Sequence, residues 1–375
     1  MRYNRTLRFA IAMVAFVFLR CSSNSSSQEI PNSLSNVNWL TNSTARFFRL
    51  GVTNEDTLLE IYFDSNTILQ KFHKGRNPQL FNQYTHISNL KNPTKTVVLT
   101  SAFSRFLSQL GQLPTIVAVD ELNFWTKDII SQIPNASQTL QIQKGGNLQY
   151  EKLIKIEPDW VINYTLTPKT DPKITSHSPV IYIQNHFEVH PLAKAEWIKV
   201  FGFCFNQISL ADSLFQVEKS LYDGLSSGQT PTAKPKIMVN LPYSGIWWVP
   251  QKYNSLTQLI YDAGGEPIWI TDHLNGNNSV QISTENALNH IANCDILLHP
   301  GSIKSMDEIN DPRIQKTLFT YKPKIWQNDL KIEFNGANPY WDMGSAQPHL
   351  LLRELRSIFY DQNQNPYFYR QIKFN

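Results

Sequence analysis

Short β-rich runs alternate with longer amphipathic ones along most of the chain, the pattern of an α/β fold in which mainly parallel central sheets are flanked by helices. Strands are predicted in the first half at Thr96 to Thr100, Ile116 to Val119, Trp160 to Asn163 and Val180 to Ile183. The second half offers Lys236 to Asn240, Pro267 to Ile270 and Asp295 to His299. Between them, Pro191 to Leu225 carries no strand-like run, and Leu210, Leu214, Val217, Leu221 and Leu225 recur at helical spacing. Asn206 and Gln207 divide this segment, leaving a second helix of about twenty residues, roughly 30 Å, enough to run from one lobe to another. Ser226, Ser227, Gly228 and Pro231 then end it. Phe47 to Leu50 and Leu58 to Phe63 predict an added hairpin on the first lobe.

The two halves echo each other. Leu107-Ser-Gln-Leu-Gly111 leads through Pro114 to the strand at Ile116, as Leu256-Thr-Gln-Leu259 leads through Gly264 and Gly265 to the strand at Pro267. Glu151 opens a helix that ends before Trp160, and Glu285 one that ends before Ile296. Each half thus repeats helix, strand, helix, strand, an internal duplication at domain scale.

The N-terminus adds an address. Arg2, Arg5 and Arg8 precede an uncharged apolar run from Phe9 to Leu19, too short to span a bilayer but suited to a secretory signal. Cys21 follows, then a serine-rich stretch, as expected of a lipidated cysteine tethering a domain through a flexible leader. Arg20 stands where such signals carry a small residue, which leaves uncleaved anchoring or ordinary cleavage nearby open. The resulting division is a signal segment over 1–21, a leader over 22–40, a first lobe over 41–190, a connecting segment over 191–230 and a second lobe over 231–375.

Composition refines the class. With 41% hydrophobic and 17% charged residues the chain is globular, and its length suits two domains. A net charge of +4 without a Lys/Arg run argues against a nucleic-acid partner, and the chain is expected to act as a monomer. Besides Cys21 only Cys204 and Cys294 occur, each in an apolar context, and both read as buried core thiols. H-E-x-x-H, C-x-x-C, P-loop and G-x-G-x-x-G patterns are absent, and G-x-S-x-G occurs as Gly224-Leu-Ser-Ser-Gly228 where the connecting helix ends rather than after a strand, so catalysis has little support.

Taken in order, Leu99-Thr-Ser101, Gly146-Asn-Leu148 with Glu151, Glu157-Pro-Asp-Trp-Val161, His190-Pro-Leu-Ala-Lys-Ala-Glu-Trp-Ile198, Trp248-Val-Pro250, Asp262-Ala-Gly-Gly265, Asp295 to Gly301, and Tyr340-Trp341 carry a resemblance over Lys95 to Tyr360. The chain resembles the class III periplasmic binding proteins of ABC importers, of the iron-siderophore and cobalamin type. The resemblance implies two lobes joined by a rigid helix, a ligand in the cleft between them, and no cofactor beyond the iron or cobalt that the ligand itself contains. The implied partners are an ABC permease with its ATPase, a metal-chelate ligand, and the membrane through a lipid anchor. It further implies that Glu151 and Glu285, at matching places in the two halves, meet arginines of two permease subunits; each would also favour its own helix N-terminus.

In such a fold the strand-end loops face the cleft, and here they are rich in aromatics. Candidate ligand-binding residues are Ser101, Phe124, Trp125, Tyr164, Tyr243, Trp247, Trp248, His299, Tyr340 and Trp341. Rigid rings offer large apolar area at little rotamer cost, which suits a ferric siderophore or cobalamin, with haem ranked below them. A bare metal ion is weaker, because His299 stands alone at a strand end while His190 and His349 fall at helical starts. An envelope α/β hydrolase and a surface-interaction lipoprotein are the remaining alternatives.

Overall fold

A computed structural model describes residues 34, 36–87, 93–134, 139–228, 232–271, 274, 276, 278–301, 303–362 and 365–374. Cys21 and the signal segment lie outside them, as does most of the leader. The leader's last residues are structured: Asn38–Leu40 form β1, because Leu40 packs on the first-lobe core.

The predicted hairpin is the centre of a larger unit. β1 joins β2 (Phe48–Val52), β3 (Thr57–Tyr62), β4 (Ile68–Lys74) and β5 (Thr85–His86) in one sheet, antiparallel except for its last pair. Phe48, Leu50, Leu59, Ile61 and Phe72 turn inward from it and merge with the first-lobe core. Two buried carboxylates clip its leading loop to the connecting segment. Glu196 accepts from the backbone N–H groups of Ser43, Thr44 and Ala45, each at 2.8 Å, and from Lys199 Nζ at 2.9 Å. Glu188 accepts from Arg46 and Phe47 N–H at 3.0 and 3.2 Å and from Trp197 Nε1 at 2.9 Å.

The first lobe follows as β6 (Thr96–Val98), α1 (Ser104–Gln109), β7 (Ile116–Val119), α2 (Lys127–Ile130), β8 (Leu140–Gln141), the small hairpin β9 (Gln143–Lys144) and β10 (Asn147–Leu148), α3 (Tyr150–Ile156), β11 (Trp160–Asn163), α4 (Pro172–Thr175) and β12 (Val180–Tyr182). Its sheet is parallel throughout, in the order β12-β11-β6-β7-β8. The runs are apolar on both sides, Val97, Val98, Val161 and Ile162 being fully buried, as expected where helices cover both faces.

The connecting segment forms α5 (Pro191–Glu196), α6 (Ile198–Cys204) and α7 (Ile208–Ser226). Asn206, with φ +57°, breaks the chain between α6 and α7 where the sequence places a division. The helices touch closely at Gly202, where a Cβ would stand 2.6 Å from that of Ala211. The buried face of α7 is not the one predicted. Ala211, Phe215, Glu218 and Tyr222 face inward, while Leu210, Val217 and Leu221 are exposed and Leu214 and Leu225 only flank the cores. The two stripes lie one residue, or about 100° of helix, apart, and polar anchoring selects between them: Glu218 accepts from His349 N–H at 2.9 Å, and Tyr222 Oη donates to Asp262 at 2.6 Å.

The second lobe comprises β13 (Lys236–Val239), β14 (Ile246–Pro250), α8 (Ser255–Asp262), β15 (Glu266–Pro267), β16 (Ser279–Ser283), α9 (Thr284–Ile291), β17 (Ile296–Leu298), α10 (Pro312–Tyr321), β18 (Lys324–Gln327), α11 (Pro339–Ala346), α12 (Pro348–Phe359) and β19 (Arg370–Ile372). Its sheet runs β15-β13-β17-β18-β19, parallel apart from β19, and β14 pairs with β16 as a separate ribbon. The strand read as Pro267 to Ile270 is only two residues long, since Trp269 leaves the sheet to fill the core, its Nε1 donating to Pro250 O at 2.7 Å. Cys204 and Cys294 are buried free thiols. Among the described residues no helix is long and apolar enough to cross a membrane.

Candidate functional site

With β8 set aside as an edge addition to the first sheet, the strands of both lobes stand in the spatial order second, first, third, fourth. In such sheets successive connections leave on opposite sides where the first and third strands adjoin, which opens a crevice at their carboxyl ends. In the first lobe these strands are β6 and β11, and the loops beyond them carry Ser101 and Tyr164. In the second they are β13 and β17, followed by Leu241 to Gly245 and by His299 to Gly301. There the crevice is a cavity of about 1070 Å³ whose lining includes Tyr243, Pro300, Gly301 and Arg313.

The predicted residues divide into three groups. Phe124, Tyr164, Tyr243, Trp248 and Trp341 present rings to solvent, Trp248 at 47% and Trp341 at 60% exposure. Ser101, His299 and Tyr340 are more enclosed and shape the walls. Ser101 begins a turn, Ser101–Phe103, capped by the Thr100 hydroxyl. His299 has φ +55°, a left-handed conformation that a non-glycine residue adopts at some cost. Its ring lies parallel to Tyr369 with centroids 5.5 Å apart, Nε2 is 2.9 Å from Tyr369 Oη, and burial pushes its pKa down to about 4. Tyr340 meets the His299 ring edge-on at 5.6 Å.

Trp125 and Trp247 are corrections. Trp125 is 1% exposed and donates from Nε1 to Asp120 at 2.6 Å; Trp247 is 0% exposed and donates to Val239 O at 2.9 Å. Each is half of an aromatic pair, and for β14 the alternation of a strand sends Trp247 into the core and Trp248 outward. Glu151 and Glu285 both sit exposed in the first turns of α3 and α9, and Glu285 additionally meets Arg313 at 3.2 Å, which with a backbone hydrogen bond lowers its pKa. His190 and His349 cap and open helices: His190 Nδ1 accepts from Leu192 N–H at 3.1 Å, and His349 Nδ1 lies 2.6 Å from Glu218. Among the described residues no cluster of three or more His, Cys, Asp or Glu side chains could hold a metal ion.

Several groups escaped the sequence reading. A smaller cavity, about 140 Å³, lies where the connecting segment meets the second lobe, walled by Lys194, His299, Tyr340 and Trp341. Lys194 sits in the middle of an apolar helical segment, and nothing in sequence distinguishes it from a solvated lysine. A cross-brace also joins the lobes. Asp342 on α11 accepts from Ser104 Oγ at 3.1 Å and from Arg105 at 3.2 Å, while Lys127 N–H donates to Glu333 at 2.9 Å. Partners more than 200 residues apart leave no local signal.

Residues 97–319, more than half of the chain, match the family described as periplasmic binding protein, and the chain belongs to that family. An uncharacterised lipoprotein of Methanocaldococcus jannaschii is 20% identical over 277 residues, 71% of this chain and 63% of its own length, so the chain spans less than two thirds of that relative. Among solved structures, a substrate-binding protein of an ABC transporter from Listeria monocytogenes superposes with a TM-score of 0.52 at 17% identity, covering 72% of this chain and all of the other. A periplasmic haem-binding protein of Pseudomonas aeruginosa does so at 0.51 and 14% identity, over 75% of this chain and 99% of its own. These likenesses bear out the two-lobed α/β fold.

Proposed function

We propose that this chain is the substrate-capturing lipoprotein of an ABC importer, binding a metal chelate, either a ferric siderophore, cobalamin or haem, in the cleft between its lobes and delivering it to an inner-membrane permease. The observation that carries this is the crevice at the strand ends of the second lobe, together with exposed aromatic rings near the strand ends of both lobes, Tyr164 on the first and Tyr243, Trp248 and Trp341 on the second. Flat, rigid rings of this kind bind large chelates while losing little side-chain entropy. Membership of the periplasmic binding protein family supports the transport role. Anchoring through Cys21 would keep the protein at the membrane surface, and Glu151 and Glu285, one on each lobe, would orient it on the permease; separated charges of this sort govern register and encounter rate more than affinity.

The test is a tryptophan-quenching panel of ferric siderophores, cobalamin and haem against the purified protein. At least one should bind with Trp341 emission quenched, and Trp341→Ala should weaken it by about 2 kcal/mol. Failure of every chelate to bind would remove the proposal.

A further inference from the structure

The small cavity between α5 and the second lobe has an unusual charge balance. Lys194 reaches it from α5, and none of the side chains that wall it is a carboxylate. Among the described residues no hydrogen bond or ion pair reaches the Lys194 ammonium. The nearest compensating charge is Glu188, whose oxygens are already taken by Arg46 N–H, Phe47 N–H and Trp197 Nε1. The turn leading into α5 also holds side-chain atoms without protein partners, both amide atoms of the fully buried Gln184 and His186 Nε2, outside the lining of this cavity. Lys194 is close enough to His186 for its charge to depress the imidazole's basicity further after burial. Lys194 is half-buried, so its ammonium keeps some contact with water, but the desolvation of its surroundings and the lack of a direct partner leave it ready to exchange that water for an anionic acceptor. The arrangement makes sense if an acceptor arrives from outside. Ser255 and Ser345 add hydroxyls to the same wall, and Tyr340 and Trp341 supply flat apolar flanks.

We infer that Lys194 is the anchor for a carboxylate of the ligand, so that the cleft selects anionic, carboxylate-bearing chelates over neutral ones. This rests on the chelate-binding function proposed above and deepens it. The cavity of about 140 Å³ admits a carboxylate and its stem but not a whole chelate, whose body would lie outside it against the exposed ring of Trp341. A charge-assisted hydrogen bond formed away from bulk water is the strong kind, and a neutral ligand entering the same place would leave the ammonium both dehydrated and unpaired.

Lys194 also sets a pH window. Burial holds its pKa down at about 8 in the free protein. The surrounding groups titrate elsewhere: His186 and His299 are pushed down to about 4, Glu188 up to about 7 and Tyr340 up to about 12. The ammonium is therefore half lost at about pH 8, nearly complete by about two pH units below it, and progressively lost above it.

The experiment measures affinity by tryptophan quenching for two carboxylate-bearing probes, ferric citrate and haemin, and two without free carboxylates, ferrichrome and cyanocobalamin. A carboxylate-bearing probe should bind best. Lys194→Met should weaken it by about tenfold or more, and Lys194→Arg should keep it within about threefold, because the guanidinium retains the charge. On the wild-type protein, affinity for that probe should fall by up to about tenfold per pH unit between pH 8 and 10, and the Lys194→Arg protein should be flat across that range. This readout needs no methionine variant to fold. Strong binding of ferrichrome or cyanocobalamin that is indifferent to Lys194→Met would overturn the anchor while leaving the cleft as the chelate site. Binding of none of the four would remove the chelate-binding function and the anchor with it.

Discussion

Laid over one another, the two lobes place their second, first, third and fourth strands in the same order, yet they finish their edges differently. The first lobe adds parallel β8 at one side and merges its core with the five-stranded sheet β1 to β5. The second adds antiparallel β19 and the separate ribbon of β14 and β16. One device secures an addition in each lobe: a helix-borne carboxylate, buried, accepting a run of backbone N–H groups. Glu196 does this for Ser43 to Ala45 at the entrance to the added sheet, and Glu354 for Tyr367 to Phe368 and Tyr369 before β19. The duplicated framework sets where the strand-end loops emerge, and the attachments extend the edges of each sheet. The large crevice belongs to the second lobe, whereas the braces run through both.

The comparison is most sharply broken at the clips and the buried tryptophans. Glu196→Ala strands three backbone N–H groups and leaves Lys199 without its buried partner, so it should cost about 3–5 kcal/mol. Glu354→Ala should cost less, about 2–3 kcal/mol, because no lysine depends on it. Urea unfolding followed by circular dichroism measures both, and equal losses would mean that the two clips are equivalent after all. The paired aromatics of β14 offer a second contrast. Trp247→Ala opens a cavity in the second-lobe core and should cost about 3–5 kcal/mol, whereas Trp248→Ala should stay within about 0.5 kcal/mol in stability and show itself in ligand affinity instead. A matching stability loss at Trp248 would contradict its outward placement.

Smaller effects concern the whole assembly. Replacing Glu151 and Glu285 together by Ala should leave ligand affinity unchanged and reduce uptake and ATPase stimulation in the reconstituted importer. The two singles should differ: Glu285 is held by Arg313 and must exchange that partner on docking, while Glu151 has no such restraint. Normal transport by the double variant would reduce both residues to helix-favouring charges. The smallest expected change is in shape. With α7 between the lobes and Asp342 bridging to Ser104 and Arg105, ligand should alter the radius of gyration by less than about 1 Å. X-ray scattering showing a larger compaction would mean that the brace opens.

What the chain alone determined follows from local rules. Apolar runs of strand length, the helical period after Gln207, the break at Asn206 and the twofold repeat of helix and strand are written in neighbouring residues, so the lobes, the connecting helices and the places where cleft loops emerge could all be read directly. Direction was harder. Trp247 and Trp248 are chemically alike in sequence, and only the pairing of β14 with β16 assigns one to the core and the other to solvent. On α7 the leucine stripe looked like the buried face until Glu218 and Tyr222 found partners on α12 and α8. Likewise the added sheet was visible only as a hairpin, because β1 and β5 are too short to signal themselves and persist by pairing and by the clips at Glu188 and Glu196. Lys194 is the clearest case: its meaning lies in what surrounds it, a cavity wall without a carboxylate, and that is a property of chain segments brought together from far apart. Local patterning decides which elements form; long-range packing, where desolvation gives each polar atom its cost, decides which of their side chains are buried with partners and which line cavities.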